Sequence, residues 1–445
     1  MLENKETFFA LSTPMGRSAT ATIRINGEKA LATLLQLSNK KNLDIKHAKN
    51  ILVNIYNKNN GLIDNVVTTY YKKPKSYTGE DLVEIHTHGN PTIINTLSKE
   101  LLELGVRPAE PGEFTKTAYL NGKMDLIQAE SVLLLINSTS ASGVNLSLNN
   151  VTGFATNELQ KTKNSLISAL GLLEYELDIS ETENQTTTTK TVHKTIHKTV
   201  KSVKRILSSG QASKILTSGA RIVICGKPNT GKSTLFNALI KHERAIVTNI
   251  PGTTRDTIEE GLILNKNNVV LVDTAGLRPT KNLVEKKGIE RTKDEIKNAD
   301  IVLSLFDSTT KENKRKNNKN TLHIINKVDL LDNHSLNKLM EQNPGFLFIS
   351  AKEKQGVDKL LLEIENLVCK ITAKNNNLFL TSKRQESVLF QIQSELEPLV
   401  TNNETNLELL AHHTKKAIGF FDNLLGKTTA DDVLDSVFSG FCVGK

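Results

Sequence analysis

Between Arg221 and Leu239 the chain reads RIVICGKPNTGKSTLFNAL. Few conformations satisfy this stretch. An apolar run must be extended, a loop with two glycines must turn tightly, and the residues after Lys232 have helical spacing. Gly226, Gly231, Lys232 and Ser233 complete the pattern of a phosphate loop between a strand and a helix. The glycines let backbone N–H groups turn inward, and the helix N-terminus adds positive dipole. Such a strand needs a sheet. From 221 to about 372, RIVIC, NVVLV, DIVLSLF, TLHIIN and FLFIS alternate with helical stretches. That is the rhythm of a wound α/β sheet covered on both faces.

Further motifs follow in an order that selects guanine. Thr254 in PGTTRD and Ser233 can supply oxygens to Mg²⁺. Asp273 of DTAG can hold a magnesium-bound water, with the Gly276 N–H facing the γ-phosphate. In NKVD, the Asp329 carboxylate can accept both guanine N1–H and N2–H. Asn326 is expected at the base edge and Lys327 over the ring. In SAK a backbone amide can meet guanine O6. An acceptor left unpaired disfavours adenine by roughly 1–3 kcal/mol. GTP is therefore expected to meet Asn229, Thr230, Gly231, Lys232, Ser233 and Thr234. The intervening loop adds Thr248, Asn249, Ile250, Pro251, Gly252, Thr253 and Thr254. The set closes with Asp273, Thr274, Ala275 and Gly276, then Asn326, Lys327, Val328 and Asp329, then Ser350, Ala351 and Lys352.

The position after Asp-x-x-Gly is Leu277, where many GTPases carry a water-orienting glutamine. Charge building between the β- and γ-phosphates must be neutralised in another way. Arg255 or Arg278 is one candidate. A monovalent ion is another, held by the Asn229 amide and carbonyls of TNIPGT, since oxygen ligands suit a hard cation.

Residues 1 to about 120 read as mixed α/β, with strand-like ATATIRI and DLVEIHTHG and a helical PTIINTLSKELLELG. From 124 to 216 the pattern is mainly helical, and TENQTTTTK is expected to interrupt it as a loop. In KTVHKTIHKTVKSVKRIL, Val192, Ile196, Val200, Val203 and Leu207 mark one amphipathic helix with a basic outer face. His193 and His197 have metal-compatible spacing but no third ligand, so a solvated pair is expected. The chain beyond 372 is helical again. The excess of 57 Lys+Arg over 48 Asp+Glu permits nucleic-acid contact without demanding it. Within the nucleotide domain, KENKRKNNKN is expected to be a solvated loop. Cys225, Cys369 and Cys442 form no CxxC, which fits a reducing cytoplasm. MLENKETFF lacks a signal-peptide core, and no apolar run reaches membrane-spanning length.

The chain resembles the MnmE (TrmE) family of tRNA-modification GTPases along essentially its whole length. GKPNTGKS, TNIPGTTRD, DTAGLR, GIERT and NKVD carry the resemblance. So do TPMGR…IRI, SYTGEDLVEIHTHG, RPAEPGEFTKTAYLNGKMDLIQAE and FCVGK. It implies an N-terminal α/β folate-binding and dimerisation domain (1–120) and a discontinuous helical domain (121–217 and 373–445). A Ras-like P-loop GTPase domain (218–372) is inserted between the helical parts. It implies K⁺ in place of an arginine finger, held by Asn229, Thr248 and the carbonyls of Ile250 and Thr253, when two G domains meet. Glu285 would orient the water indirectly, so catalysis would rest on Glu285, Asn229, Lys232 and Thr254. A 5,10-methylene- or 5-formyl-tetrahydrofolate would lie on Arg24, Glu84, Lys123 and Lys445, with Cys442 nearby. The implied reaction adds an aminomethyl or carboxymethylaminomethyl group to C5 of wobble uridine in certain tRNAs. It would be carried out by a cytoplasmic homodimer with an FAD-carrying MnmG (GidA) partner in a heterotetramer. The sequence departs from the family where SATA replaces a glycine-rich run, where Asn90 replaces glycine, and where TENQTTTTK replaces an acidic stretch. Two rivals are a GTP-switched ribosome-assembly factor and a folate enzyme whose G domain is only structural.

Overall fold

A computed structural model describes residues 6–138, 140–178, 185–242, 246–248, 258–264, 267–273, 294–309, 320–372, 382–428 and 430–445. The chain divides into two compact units. One comprises Met1–Leu133, Val151–Asn164 and Lys415–Lys445; the other comprises Leu134–Asn150 and Ser165–Thr414.

The first unit is built on six strands: β1 (Phe8–Leu11), β2 (Ser18–Asn26), β3 (Asn50–Tyr56), β4 (Leu62–Tyr71), β5 (Leu82–Gly89) and β6 (Arg107–Pro108). Their order is β3-β4-β5-β2-β1-β6, antiparallel except where β1 meets β6. Strand period two sorts the side chains. Ala21, Ile23, Ile25, Val83 and Ile85 face one way, into a core with Leu34 of α1 (Ala30–Leu37) and Ile94, Leu97 and Leu101 of α2 (Pro91–Glu103). Thr22, Arg24, Glu84 and His86 alternate with them, and the register pairs Arg24 with Glu84 and Thr22 with His86. Asn90, where the resemblance leads one to expect glycine, caps α2 by accepting from the Thr92 N–H at 2.8 Å. The SATA segment belongs to a strand. It opens β2, whose register slips between Ser18 and Ala21. Gly89 opposite Ser18 leaves room for this, because a Cβ on Gly89 would meet Ser18 Oγ at 2.1 Å.

The second unit holds a seven-stranded sheet of order β13-β12-β11-β7-β10-β9-β8. Its strands are β7 (Ala220–Gly226), β8 (Ile246–Thr248), β9 (Ile258–Leu264), β10 (Asn267–Asp273), β11 (Ile301–Asp307), β12 (Thr321–Asn326) and β13 (Leu347–Phe348). β13, β12, β11, β7 and β10 run parallel, and β9 and β8 run antiparallel to their neighbours. Alternate residues of these strands, among them Ile222, Ile224, Val269, Leu271, Leu303 and Leu305, form one core with α8 (Gly210–Ser218), α9 (Lys232–Ile240) and the helix Val357–Thr372. The chain winds from β7 to β10 on one side and returns to β11 on the other. The carboxyl end of β7 is thus the switch point where such sheets bind ligands.

In sequence between the two sheets come α3 (Glu113–Leu120), α4 (Leu126–Asn137), α5 (Ala141–Val151) and α6 (Phe154–Asp178), and the basic stretch after them is one helix, α7 (Gln185–Ser208), packed on the helix Lys383–Thr401. It corrects three expectations. Gln185 to Lys190, expected in a loop, are helical, because a turn once begun extends at little cost when the following turns are packed. Residues 182–184 of that stretch lie outside the described residues. At the far end Ile206 is buried with Val192, Ile196, Val200 and Val203, while Leu207 is only half-buried. The 100° step puts Leu207, not Ile206, in line with the stripe, so the burial of Ile206 comes from the packing at this end of the helix and not from the period. His193 and His197 are not a matched solvated pair. His193 bonds the Glu404 carbonyl, and His197 is exposed.

Candidate functional site

The carboxyl ends of β7, β11 and β12 converge. After β7 the loop turns through Asn229 (φ 64°) and Gly231 (φ 91°) into α9. Lys232 Nζ donates to the Gly226 and Lys227 carbonyls, 3.0 Å each, and Thr230 Oγ1 donates to the Lys227 carbonyl at 2.9 Å. The loop is therefore closed around the ammonium that a phosphate would draw out. Ser233 and Thr234 are exposed on the first turn of α9.

Asn326 is the keystone of this end of the sheet. It is 2% exposed. Its Nδ2 donates to the Thr230 carbonyl, and its Oδ1 accepts from the Ala351 N–H, both at 2.9 Å. One carboxamide thus ties the phosphate loop to the SAK segment. The role expected of it was a base-edge contact; its side chain in this structure is a bridge between loops. Lys327 (φ 67°) turns back and pairs with Asp307 Oδ2 at 2.6 Å, while Ser308 Oγ donates to the Lys327 carbonyl at 2.8 Å. Burial alone would raise the Asp307 carboxyl. The Lys327 ammonium and the Thr309 N–H and hydroxyl outweigh it and hold the group below its ordinary value. Val328 is buried and Asp329 exposed, its carboxylate accessible to a base. Ser350 is buried, its Oγ accepting from the Glu353 N–H at 3.1 Å; Ala351 is buried and Lys352 exposed.

Other expected members are described only in part. Thr248 ends β8 and Asp273 ends β10, opposite Ile224 of β7, and their side chains lie outside the description. Asn249, Ile250, Pro251, Gly252, Thr253, Thr254, Arg255, Thr274, Ala275, Gly276, Leu277, Arg278 and Glu285 lie outside the described residues.

The sheet of the first unit carries a charged cluster on the face away from α1 and α2. Arg24 Nε donates to Glu84 Oε1 at 2.8 Å and its Nη1 to the Gly444 carbonyl at 3.3 Å. Tyr71 OH reaches Glu84 Oε2 at 3.5 Å, and His86 Nε2 lies 4.0 Å from the same oxygen. Burial first, then Arg24, hold the Lys445 ammonium below its ordinary value against the pull of Glu84. Burial first, then the Glu84 charge, push the Tyr71 phenol up. Phe441 anchors this end of the chain in the cluster of Leu126, Leu434 and Phe438, and Gly444 (φ 103°) passes so close that a Cβ would meet the Leu11 carbonyl at 2.4 Å. Arg24, Glu84 and Lys445 are thus brought together. Lys123 is held separately, its Nζ on the Pro74 carbonyl at 3.0 Å, and Cys442 is exposed. Two cations against one carboxylate, beside a phenol and an imidazole, suit a ligand that carries carboxylates and ring N–H groups. Tyr71 and His86 were not among the residues expected from sequence. The alternation of DLVEIHTHG puts His86 on the same face as Glu84, but Tyr71 joins only through the pairing of β4 with β5.

A family model described as GTP-binding protein TrmE N-terminus matches residues 7–123, and one described as MnmE helical domain matches 126–442. Among curated relatives, the tRNA modification GTPase MnmE of Pseudothermotoga lettingae is 37% identical over 99% of this chain and 100% of its own. The chain belongs to the MnmE family. The MnmE proteins of Thermotoga maritima and Aquifex aeolicus are 37% and 36% identical, again over 99% of this chain and all of theirs. A solved structure of Aquifex aeolicus Era is 23% identical over 39% of this chain and 66% of that one, at a TM-score of 0.26, too slight a likeness to add anything. The nucleotide framework lies within the span of the helical-domain match, and Arg24, Glu84 and Lys123 lie within the TrmE match.

Proposed function

We propose that this chain is a GTP hydrolase of tRNA modification. With an FAD-dependent partner of the MnmG family, it installs an aminomethyl or carboxymethylaminomethyl group at C5 of the wobble uridine, using a folate one-carbon unit. The observation that carries the reading is full-length similarity, 37% over 99% of this chain and 100% of the relative, to a protein called tRNA modification GTPase. The Asn326 bridge supports it, because it joins the loop that would hold phosphates to the segment that would hold guanine. Lys232 would exchange its two carbonyl bonds for the β- and γ-phosphates. Asp329, exposed beside Lys327, would accept from guanine N1–H and N2–H.

When bound, Mg²⁺ and K⁺ supply positive charge to the β- and γ-phosphates. Ser233 and Thr254 would hold the first, and Asn229, Thr248, Ile250 and Thr253 the second, with Glu285 orienting the attacking water through others. The exposed hydroxyl of Ser233 and the exposed amide of Asn229 fit those duties. Arg24 and Lys445 would pair with folate carboxylates while Glu84 accepts from pterin N–H groups; Lys123 would have to leave Pro74 to join them. The working form is a cytoplasmic homodimer, assembled with the partner as a heterotetramer, whose paired G domains close on GTP and open after hydrolysis. The domain limits are those of 1–120, 121–217, 218–372 and 373–445. Among the described residues no helix is long and apolar enough to cross a membrane.

The test is nucleoside analysis of tRNA after deletion of the gene. Unmodified uridine should accumulate at the wobble position, and an unaltered profile would overturn the reading.

A further inference from the structure

The outer face of α7 is left unexplained by GTP and folate. Over 24 residues this helix carries five lysines and Arg205 against no carboxylate. That is six of the chain's nine net positive charges. Lys190, Lys194, Lys198, Lys201 and Arg205 recur every three or four residues. At 3.6 residues per turn they share an arc of about 80° and a length of about 22 Å. Val192, Ile196, Val200, Val203 and Ile206 are buried on the opposite side, so the stripe faces outward. Among the described residues none of these five cations makes an ion pair. The sixth, Lys204, lies at the edge and is taken by Glu397.

We infer that this stripe docks the sugar-phosphate backbone of tRNA. The inference rests on the tRNA reading above and names the surface that reading lacks. Two observations favour a nucleic acid over an acidic protein. First, the stripe has no apolar or aromatic side chain to anchor a protein, and protein interfaces are depleted in lysine. Second, its flanks are Thr191, Thr195, His197 and Ser202, all exposed or half-exposed. Hydroxyls beside lysines are the groups that meet phosphate oxygens. A row with no carboxylate is also costly as a solvated face, since like charges at i,i+4 repel. A polyanion removes that repulsion and releases counterions.

The test compares the full chain with Lys194→Gln/Lys198→Gln/Lys201→Gln and with a control of equal net charge, Lys40→Gln/Lys41→Gln/Lys46→Gln, all at exposed positions. Binding of labelled tRNA is followed by anisotropy across a salt series, and GTP hydrolysis without tRNA is measured alongside. The α7 variant should bind tRNA on the order of tenfold more weakly. Its slope of log affinity against log salt should be shallower by about two. The control should match the unaltered chain, and both variants should hydrolyse GTP normally. An α7 variant that binds as the control does overturns the docking surface; so does an unaltered chain that fails to bind tRNA. If the gene deletion still removes the wobble modification, the failure is confined to this surface. If the deletion leaves wobble nucleosides intact, the reading beneath fails and this inference with it.

Discussion

Gly231 meets two demands that only glycine satisfies. Its φ of 91° lies in the left-handed region, and a Cβ there would stand 2.3 Å from Asn326 Nδ2. That nitrogen is the one holding the Thr230 carbonyl. Gly231→Ala should therefore cost about 1–3 kcal/mol of local strain and also push the Asn326 bridge open. Affinity for a fluorescent GDP analogue should drop at least about tenfold, by the 1.4 kcal/mol-per-decade rule, and the thermal midpoint should fall as well, since the folded state carries the strain. Unchanged nucleotide affinity in the alanine variant would show the bridge to be idle. The requirement for glycine was legible in GxxxxGKS. The partner that makes it strict was not, since Asn326 lies 95 residues away in a motif read for its base contact.

At the scale of the element, α7 shows how pattern and packing divide the work. Its sequence is rich in threonine, a weak helix former, so propensity alone argues against a helix. The buried stripe on the helix Lys383–Thr401 overrides it. Ile196, at 0% exposure, sits in the middle of that stripe. Ile196→Ala should destabilise the chain by about 2–5 kcal/mol through lost burial and a residual cavity, read as a lowered midpoint in urea. Lys198→Ala, two residues on and on the outer face, should shift it by no more than about 0.5 kcal/mol. Equal effects from the two would mean that the helix does not pack as described.

At the scale of the whole molecule, the open question is how charge is neutralised as GTP breaks. The described part of the nucleotide site offers Lys232 as its phosphate-facing cation, and Leu277 cannot orient water. If two copies pair and K⁺ binds at Asn229, turnover per chain should be at least about tenfold faster in KCl than in NaCl of equal ionic strength, a cation worth 10³–10⁵ being the ceiling for such a group. Turnover should also rise with protein concentration. Asn229→Ala should abolish the potassium effect and keep GDP binding. Equal rates in the two salts, at every protein concentration, would remove both the ion and the pairing.

Motif order and apolar patterning alone made the parallel sheet, the turn of the phosphate loop and the amphipathic helix legible. Each of these is a local pattern whose chemistry lies within a few consecutive residues. Three matters needed the tertiary structure. That Arg24 faces Glu84 is a matter of strand register. That Lys445 crowds them depends on Phe441 anchoring the chain in a core that includes Leu126, Ala129 and Val132, far earlier in the sequence. That Asn326 joins two loops depends on the order in which parallel strands lie side by side. The physical reason is the same each time. Distances between residues far apart in sequence follow from which apolar faces are buried together, and no stretch of a few residues contains that information.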